Sequence, residues 1–318
     1  MTRPVDSAME EGRPEKQKIR SLWLSKLRAY RDAFPNDEVP LYLTLSGAEG
    51  HDIQMLISNG LIRLTEVGAI VAEDQGLAVA IESSSYAVLR LQRRMPGLKI
   101  LEQSFDNLLH STKLTTWPQG EHERFCQARI VNLDLNRPLK FDDVDGELVF
   151  PPIQWVKKLC ILHAAARLDW CLLLTLHGEA VWESRETKAV AEFLNENFSR
   201  EPVFAEAAAS LLGESLFTHV SQLTIPAANR LSRVDQQHLL MLYVPKRIAH
   251  MALEYGWRTE TANNLRYGGR SRHAPMVTWI IDFRWDGRIS SRPEAIYRDS
   301  LRQILVGAGS IAEDGSIS

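Results

Sequence analysis

The sequence predicts an α/β fold: a doubly wound, Rossmann-like sheet of mostly parallel strands with a terminal antiparallel hairpin and a helical insertion. Three observations predict it. Apolar, β-type runs alternate with segments of helical period between Leu41 and Leu176, the pattern of a parallel sheet covered on both faces. The first run, Leu41 to Leu45, breaks into the small-residue stretch Ser46-Gly47-Ala48-Glu49-Gly50 before a helical pattern begins at His51. Near the other end, the strand-like segments Trp257 to Tyr267 and Met276 to Trp285 are joined by Gly268 to Pro275, a connection too short for a crossover helix, so they pair antiparallel.

In order along the chain, residues up to Lys18 mix Pro, Gly, Glu and Lys without a period and read as a flexible tail. Ile19 to Tyr30 recurs at helical spacing and leads into the first strand, Leu41 to Leu45. His51 to Asn59 is a helix closed near Gly60, and Ala69-Ile70-Val71-Ala72 reads as a second buried strand ending in Glu73-Asp74. Leu77 to Met95 has a helical pattern stopped by Pro96-Gly97. Leu98 to Leu101 and Ala128 to Leu133 are the third and fourth strands, Ile153 to Leu168 is helical, and Asp169 to Leu176 is the fifth strand. Beyond Trp182 the alanine-rich stretch Phe204 to Leu212 marks the helical insertion, and Val244 to Tyr255 resumes as a helix before Gly256. The resulting partition is a tail and leading helix over 1–38, an α/β domain over 39–182 and 237–290, an insertion over 183–236, and a loosely ordered tail over 291–318.

Composition bounds the function. The chain has 318 residues, 45% hydrophobic and 24% charged, which suits one large globular domain with additions. A formal net charge of −3 gives no global basic field for nucleic acid, so any such contact rests on local patches. The three cysteines, Cys126, Cys160 and Cys171, are too scattered for a disulfide framework or a paired zinc site and fit a reducing cytoplasm. Met1 to Lys18 lacks the apolar centre of a signal peptide, and the longest apolar run, Trp170 to Leu176, is too short to span a bilayer. The sequence therefore predicts a cytoplasmic protein without a membrane segment.

A strand, a tight small-residue loop and a helix can seat a nucleotide-like ligand, because absent side chains let backbone approach it. The order of these features resembles the class I S-adenosylmethionine-dependent methyltransferase superfamily. Its first-strand motif runs apolar, apolar, acidic, apolar, Gly-x-Gly-x-Gly, against Tyr42-Leu43-Thr44-Leu45-Ser46-Gly47-Ala48-Glu49-Gly50 here. Only Gly50 stands in the usual place; Thr44 replaces the acid, and Ser46 and Ala48 replace two glycines. The resemblance implies S-adenosylmethionine as cofactor, held at Ser46, Gly47, Glu49 and Gly50. It also implies a carboxylate at the end of strand two for the ribose hydroxyls, assigned to Glu73 with Asp74 beside it. An acid after strand three, for the adenine amino group, falls on Ser104 by strict alignment and on Asp106 two residues later.

Asp134, in Asn132-Leu133-Asp134-Leu135-Asn136 at the end of strand four, stands where the resemblance implies that the acceptor meets the methyl group, and is the candidate proton acceptor. The Asp/Asn-Pro-Pro-aromatic signature of amino-methylating nucleic-acid enzymes is not present at this position. A dinucleotide-binding Rossmann domain is the competitor, but it wants Gly-x-Gly-x-x-Gly, and Glu49 would oppose a pyrophosphate while suiting a cationic sulfonium. A loop of small residues also serves packing alone. The nine histidines include His51, His177 and His273 near predicted sheet ends, without metal spacing, and the cysteines read as core thiols. Two basic clusters stand out: Arg90, Arg93, Arg94 and Lys99, and, in the terminal hairpin, Arg266, Arg270 and Arg272 beside Tyr267 and His273. The hairpin arginines are the candidate contact to nucleic acid or a partner protein. The second function reading is accordingly a degenerate methyltransferase fold kept as a binding module, by analogy with bacterial accessory and defence proteins.

Overall fold

The computed structural model describes residues 13–35, 39–110, 127–144, 147–180, 182–268, 275–286, 292–305 and 307–318. In chain order, α1 (Pro14–Ala33) precedes β1 (Tyr42–Leu45), α2 (His51–Ser58), β2 (Ala78–Glu82), α3 (Ser85–Arg94), β3 (Lys99–Glu102), α4 (Phe105–His110) and β4 (Ile130–Leu139). A two-stranded ribbon of β5 (Asp142–Val144) and β6 (Glu147–Val149) leads to α5 (Pro151–Ala166) and β7 (Trp170–Ala180). Then come α6 (Ser184–Asn195), α7 (Pro202–Ser221), α8 (Arg233–Leu253), β8 (Trp257–Tyr267), β9 (Met276–Trp285), α9 (Pro293–Gln303) and β10 (Ala308–Ile311).

The main sheet has eight strands in the order β10-β8-β9-β7-β4-β1-β2-β3. The pairs β1–β2, β1–β4, β2–β3, β4–β7 and β8–β10 are parallel, and β9 is antiparallel to both β7 and β8. From β1 the chain steps outward to β2 and β3, then returns to the far side of β1 as β4. The strand order reverses there, which leaves a crevice outside the carboxyl ends of β1 and β4. Register assigns the two faces: Leu43, Val131 and Leu172 are aligned and enter one core with α4 to α9, while Tyr42, Ile130 and Cys171 are aligned and enter the other with α1 to α3. Both faces are apolar because both are covered, so the strands read as continuous hydrophobic runs.

The predicted α/β sheet and its terminal hairpin are thus present, with six corrections. The second strand is Ala78–Glu82, not residues 69–72. Ile70 forms an isolated antiparallel bridge with Leu64 instead, and Glu73 and Asp74 lie in a 3₁₀ turn, Ala72–Asp74, before β2 begins. The helical period at Leu77 to Met95 merged a buried strand with the helix that follows; Ser84, whose hydroxyl accepts the Ala87 N–H at 3.4 Å, starts α3 only at Ser85. Strands β4 and β7 run beyond their predicted ends to Leu139 and Ala180, paired with register shifts after Leu135.

The fourth correction concerns α8, which begins at Arg233 under the Ser232 cap and continues through Pro245. The fifth concerns residues 291–318, where α9 buries Leu301, and β10 extends the sheet by pairing with β8. The leading helix is longer than predicted and docks on the sheet: Trp23 and Leu27 are buried, Tyr30 donates to Asp282 Oδ1 at 3.1 Å, and Lys26 is ion-paired with the same carboxylate.

Candidate functional site

A cavity of about 370 Å³ lies at the strand-order reversal. Four strand ends line it: Leu45 and Gly47 after β1, Ile81, Glu82 and Ser83 at β2, Gln103 to Asp106 after β3, and Asp134 and Leu135 on β4, with Trp155 of α5 as a wall. The parallel register explains this convergence, because Leu45 is opposite Ile81, and Glu82 is opposite Glu102. Asp134 stands on β4 past the last β1 pairing, Thr44 with Asn132, so the continuation of β4 carries it over the open edge.

Three carboxylates therefore share the cavity. Glu82 accepts the Ser84 N–H at 2.8 Å, which fixes one of its oxygens. Asp106 accepts the Trp155 indole N–H at 3.0 Å, and Trp155 meets Phe105 edge-on with ring centroids 5.6 Å apart. Ser104 caps the short α4 by accepting the Asn107 N–H at 3.1 Å. The chamber is thus part aromatic wall and part acidic rim, a lining suited to a flat, polar, hydroxyl-bearing ligand.

The loop residues divide. Gly47 has φ +56° and open space where a Cβ would stand, and it lines the cavity. Gly50 has φ +60°, but a Cβ there would lie 2.7 Å from Leu91 Cδ2 and collide with the Met95 terminal methyl. Its missing side chain serves the contact between α2 and α3. Glu49 is ion-paired with Arg90 at 2.5 Å and with Arg94, both on α3, so its charge is answered within the protein. Ser46 donates to the Gly47 carbonyl at 3.3 Å.

Beneath this loop is a buried polar cluster that the sequence reading missed. Asp52, in the first turn of α2, accepts from Thr44 Oγ1 at 2.9 Å, Asn132 Nδ2 at 2.7 Å and the Tyr42 hydroxyl at 3.3 Å. Burial and the Asp52 charge raise the Tyr42 hydroxyl well above its ordinary value. The cluster ties β1, β4 and α2 together at the reversal.

Glu73 and Asp74 are not in the cavity. They precede β2, at its amino end, whereas the cavity lies at the carboxyl ends. Asp74 is 3% exposed and held bidentately by Arg63 at 3.0 and 2.9 Å, and these hydrogen bonds hold its carboxyl below the usual carboxylate range. Glu73 is exposed, 3.8 Å from the same guanidinium. The acid at the end of the second strand is Glu82; its signal was the apolar run Ala78 to Ile81 followed by a single acid and a Ser-Ser cap.

Arg266 is near the carboxyl end of β8, opposite Val277, and Arg270, Arg272 and His273 lie outside the described residues, as does Cys126. Burial lowers the pKa of both His51 and His177, and His177 Nδ1 accepts the Glu179 N–H at 3.2 Å. Burial pushes the Cys160 and Cys171 thiols up, as core thiols require. Among the described residues there is no cluster of histidine, cysteine and carboxylate side chains able to hold a metal ion, and no helix is long and apolar enough to cross a membrane. Comparison with family models, curated proteins and solved structures finds no significant match, so the candidate site stands on its own geometry.

Proposed function

We propose that the cavity at the strand-order reversal binds S-adenosylmethionine and that the protein is a methyltransferase-like enzyme. The observation that carries this reading is the convergence on one cavity of Gly47 and Asp106, which follow β1 and β3, with Glu82 at the end of β2 and Asp134 on β4. Glu82 replaces Glu73 as the ribose partner: one of its oxygens is occupied by the Ser84 N–H, leaving acceptor capacity for hydroxyls. Phe105 and Trp155 offer apolar surface to a purine, with Asp106 at its edge. The antiparallel β9 between β7 and β8 departs from the all-parallel dinucleotide-binding order, and such a terminal hairpin is part of the methyltransferase resemblance.

In this reading the chemistry is mostly positioning. Gly47, Glu82 and Asp106 would hold S-adenosylmethionine, which would supply an electrophilic methyl group to the acceptor, and Asp134 would take the acceptor's proton. The test is calorimetric titration of the protein with S-adenosylmethionine and S-adenosylhomocysteine. Saturable binding of both, weakened at least tenfold by Glu82→Gln, supports the assignment; absence of binding by correctly folded protein rejects it.

A second reading, a degenerate fold acting as a partner- or nucleic-acid-binding module, is favoured by the internal use of the loop: Glu49 is neutralised by Arg90 and Arg94, and Gly50 serves helix contact. In that reading Arg266 and the hairpin arginines contact a polyanion, and a salt series with short RNA and DNA measures it.

A further inference from the structure

The helical insertion meets α8 across one buried amine. Lys246 of α8 is fully buried, and its polar partners among the described residues are all on α6 and its C-terminal cap: Nζ donates to the Phe193 carbonyl and stands 4.0 Å from Glu196 Oε2. Nζ also lies 3.9 Å from the Phe193 ring centroid. The same ring meets Tyr243, Arg247 and His250 at 5.8, 5.3 and 5.9 Å. Residues 243, 246, 247 and 250 share one face of α8, so a single α6 side chain is seated against three basic side chains of that helix.

This contact suits an amine better than an ammonium. An ammonium has three N–H donors, and here one carbonyl accepts while Glu196, 57% exposed, is beyond hydrogen-bond distance. The charged and titratable groups facing Nζ are Glu196 at the end of α6 and Arg247 and His250 on α8, with Glu254 at the carboxyl end of α8 and Tyr297 of α9 against the His250 ring. Burial and Arg247 pull Lys246 down against the pull of Glu196; burial also keeps His250 low and the Tyr297 hydroxyl high. The Tyr297 hydroxyl and the Oδ1 of Asn197, just past α6, are buried without a hydrogen-bond partner among the described residues. The docked helix thus leaves three polar groups short of partners that water would supply on opening.

We infer that α6 is a proton-gated latch: it docks on α8 over an unprotonated Lys246 and is released locally when Lys246 takes up a proton from solvent. Once released, Nζ gains water for all its donors. The wall that Glu183 and Glu186 of this segment give to a cavity of about 660 Å³ moves with it. One proton is taken up per opening, so opening becomes about tenfold more frequent for each pH unit lost above about pH 8 and levels off below about pH 7. The latch stands apart from the methyl-donor reading, because none of its residues lines that cavity.

The test is amide hydrogen exchange of the full chain, read by mass spectrometry from about pH 7.5 to about pH 9. Exchange from an open amide is catalysed by hydroxide, so segments whose opening takes up no proton, such as α2 and α3, should accelerate about thirtyfold over this range. For residues 187–196 the opening becomes rarer as exchange becomes faster, and the two effects cancel: their rates should change less than about threefold. In Lys246→Met the same residues should accelerate about thirtyfold, as α2 does. The proposal is overturned if wild-type α6 accelerates like α2, if Lys246→Met stays as flat as the wild type, or if α6 exchanges no faster than β4 and β7, which would mean that it opens only with the whole chain. Should Lys246→Met fail to fold, the contrast among α6, α2 and the β4 and β7 strands in the wild type decides.

Discussion

Asn132 Nδ2 stands 2.7 Å from Asp52 Oδ2, joining β4 to the first turn of α2 through a carboxylate that is only 9% exposed. This bond crosses the strand-order reversal, so the packing of α2 against β1 and β4 depends on a polar contact between segments 80 positions apart in sequence. Asn132→Leu would remove a donor from a buried carboxylate. The expected cost is about 2 to 3 kcal/mol, read as a lower urea midpoint with an unchanged slope.

Glu82 and Glu73 separate the two possible ribose acids. Glu82→Gln should weaken S-adenosylmethionine at least tenfold in calorimetry, whereas Glu73→Ala, exposed at the amino end of β2, should leave affinity within twofold. Equal effects of the two substitutions would remove Glu82 from the cavity's chemistry.

Asp134→Asn should spare cofactor affinity and lower turnover by about 10² to 10⁴ once an acceptor is known, as expected for a lost general base. Near-normal turnover would exclude it from the proton step.

The two loop glycines should respond differently to alanine. At Gly47 a side chain meets open space, so only the positive φ costs, about 1 to 2 kcal/mol. At Gly50 the same strain is joined by a collision with Leu91 and Met95, adding roughly 1 to 3 kcal/mol. Denaturant midpoints should therefore fall further for Gly50→Ala than for Gly47→Ala.

Lys246 predicts a pH dependence. Its side chain is fully buried, with Nζ donating to the Phe193 carbonyl, lying 3.9 Å from the Phe193 ring centroid and 4.0 Å from Glu196 Oε2. Burial lowers its pKa to about 7 from an ordinary 10.5; Glu196 opposes that shift, and Arg247 adds to it, with His250 on the same helix also held low by burial. Between these two values the unfolded chain binds the proton and the folded protein does not, so stability rises with pH across that window. The difference in unfolding free energy between wild type and Lys246→Met, measured from pH 7 to pH 10, should move in favour of the wild type as pH rises. A pH-independent difference would contradict a depressed lysine.

The sequence by itself determined the α/β class, the parallel core and the terminal hairpin. Alternating periods and a connection too short for a helix are local properties of the chain, and runs such as Leu172-Leu173-Leu174 are uniformly apolar only when both sheet faces are covered. It also marked Gly47, Asp106 and Asp134, each of which follows or continues a strand that was legible. It misplaced the acid of the second strand, because Ala78 to Ile81 is a short apolar run that fits a strand or a buried helix equally, and only pairing with β1 decides between them. The tail's recruitment as β10, the use of Gly50 for helix contact and the neutralisation of Glu49 by Arg90 and Arg94 were likewise tertiary decisions. Each depends on which distant atoms arrive beside a residue, and hydrophobic period carries no record of that.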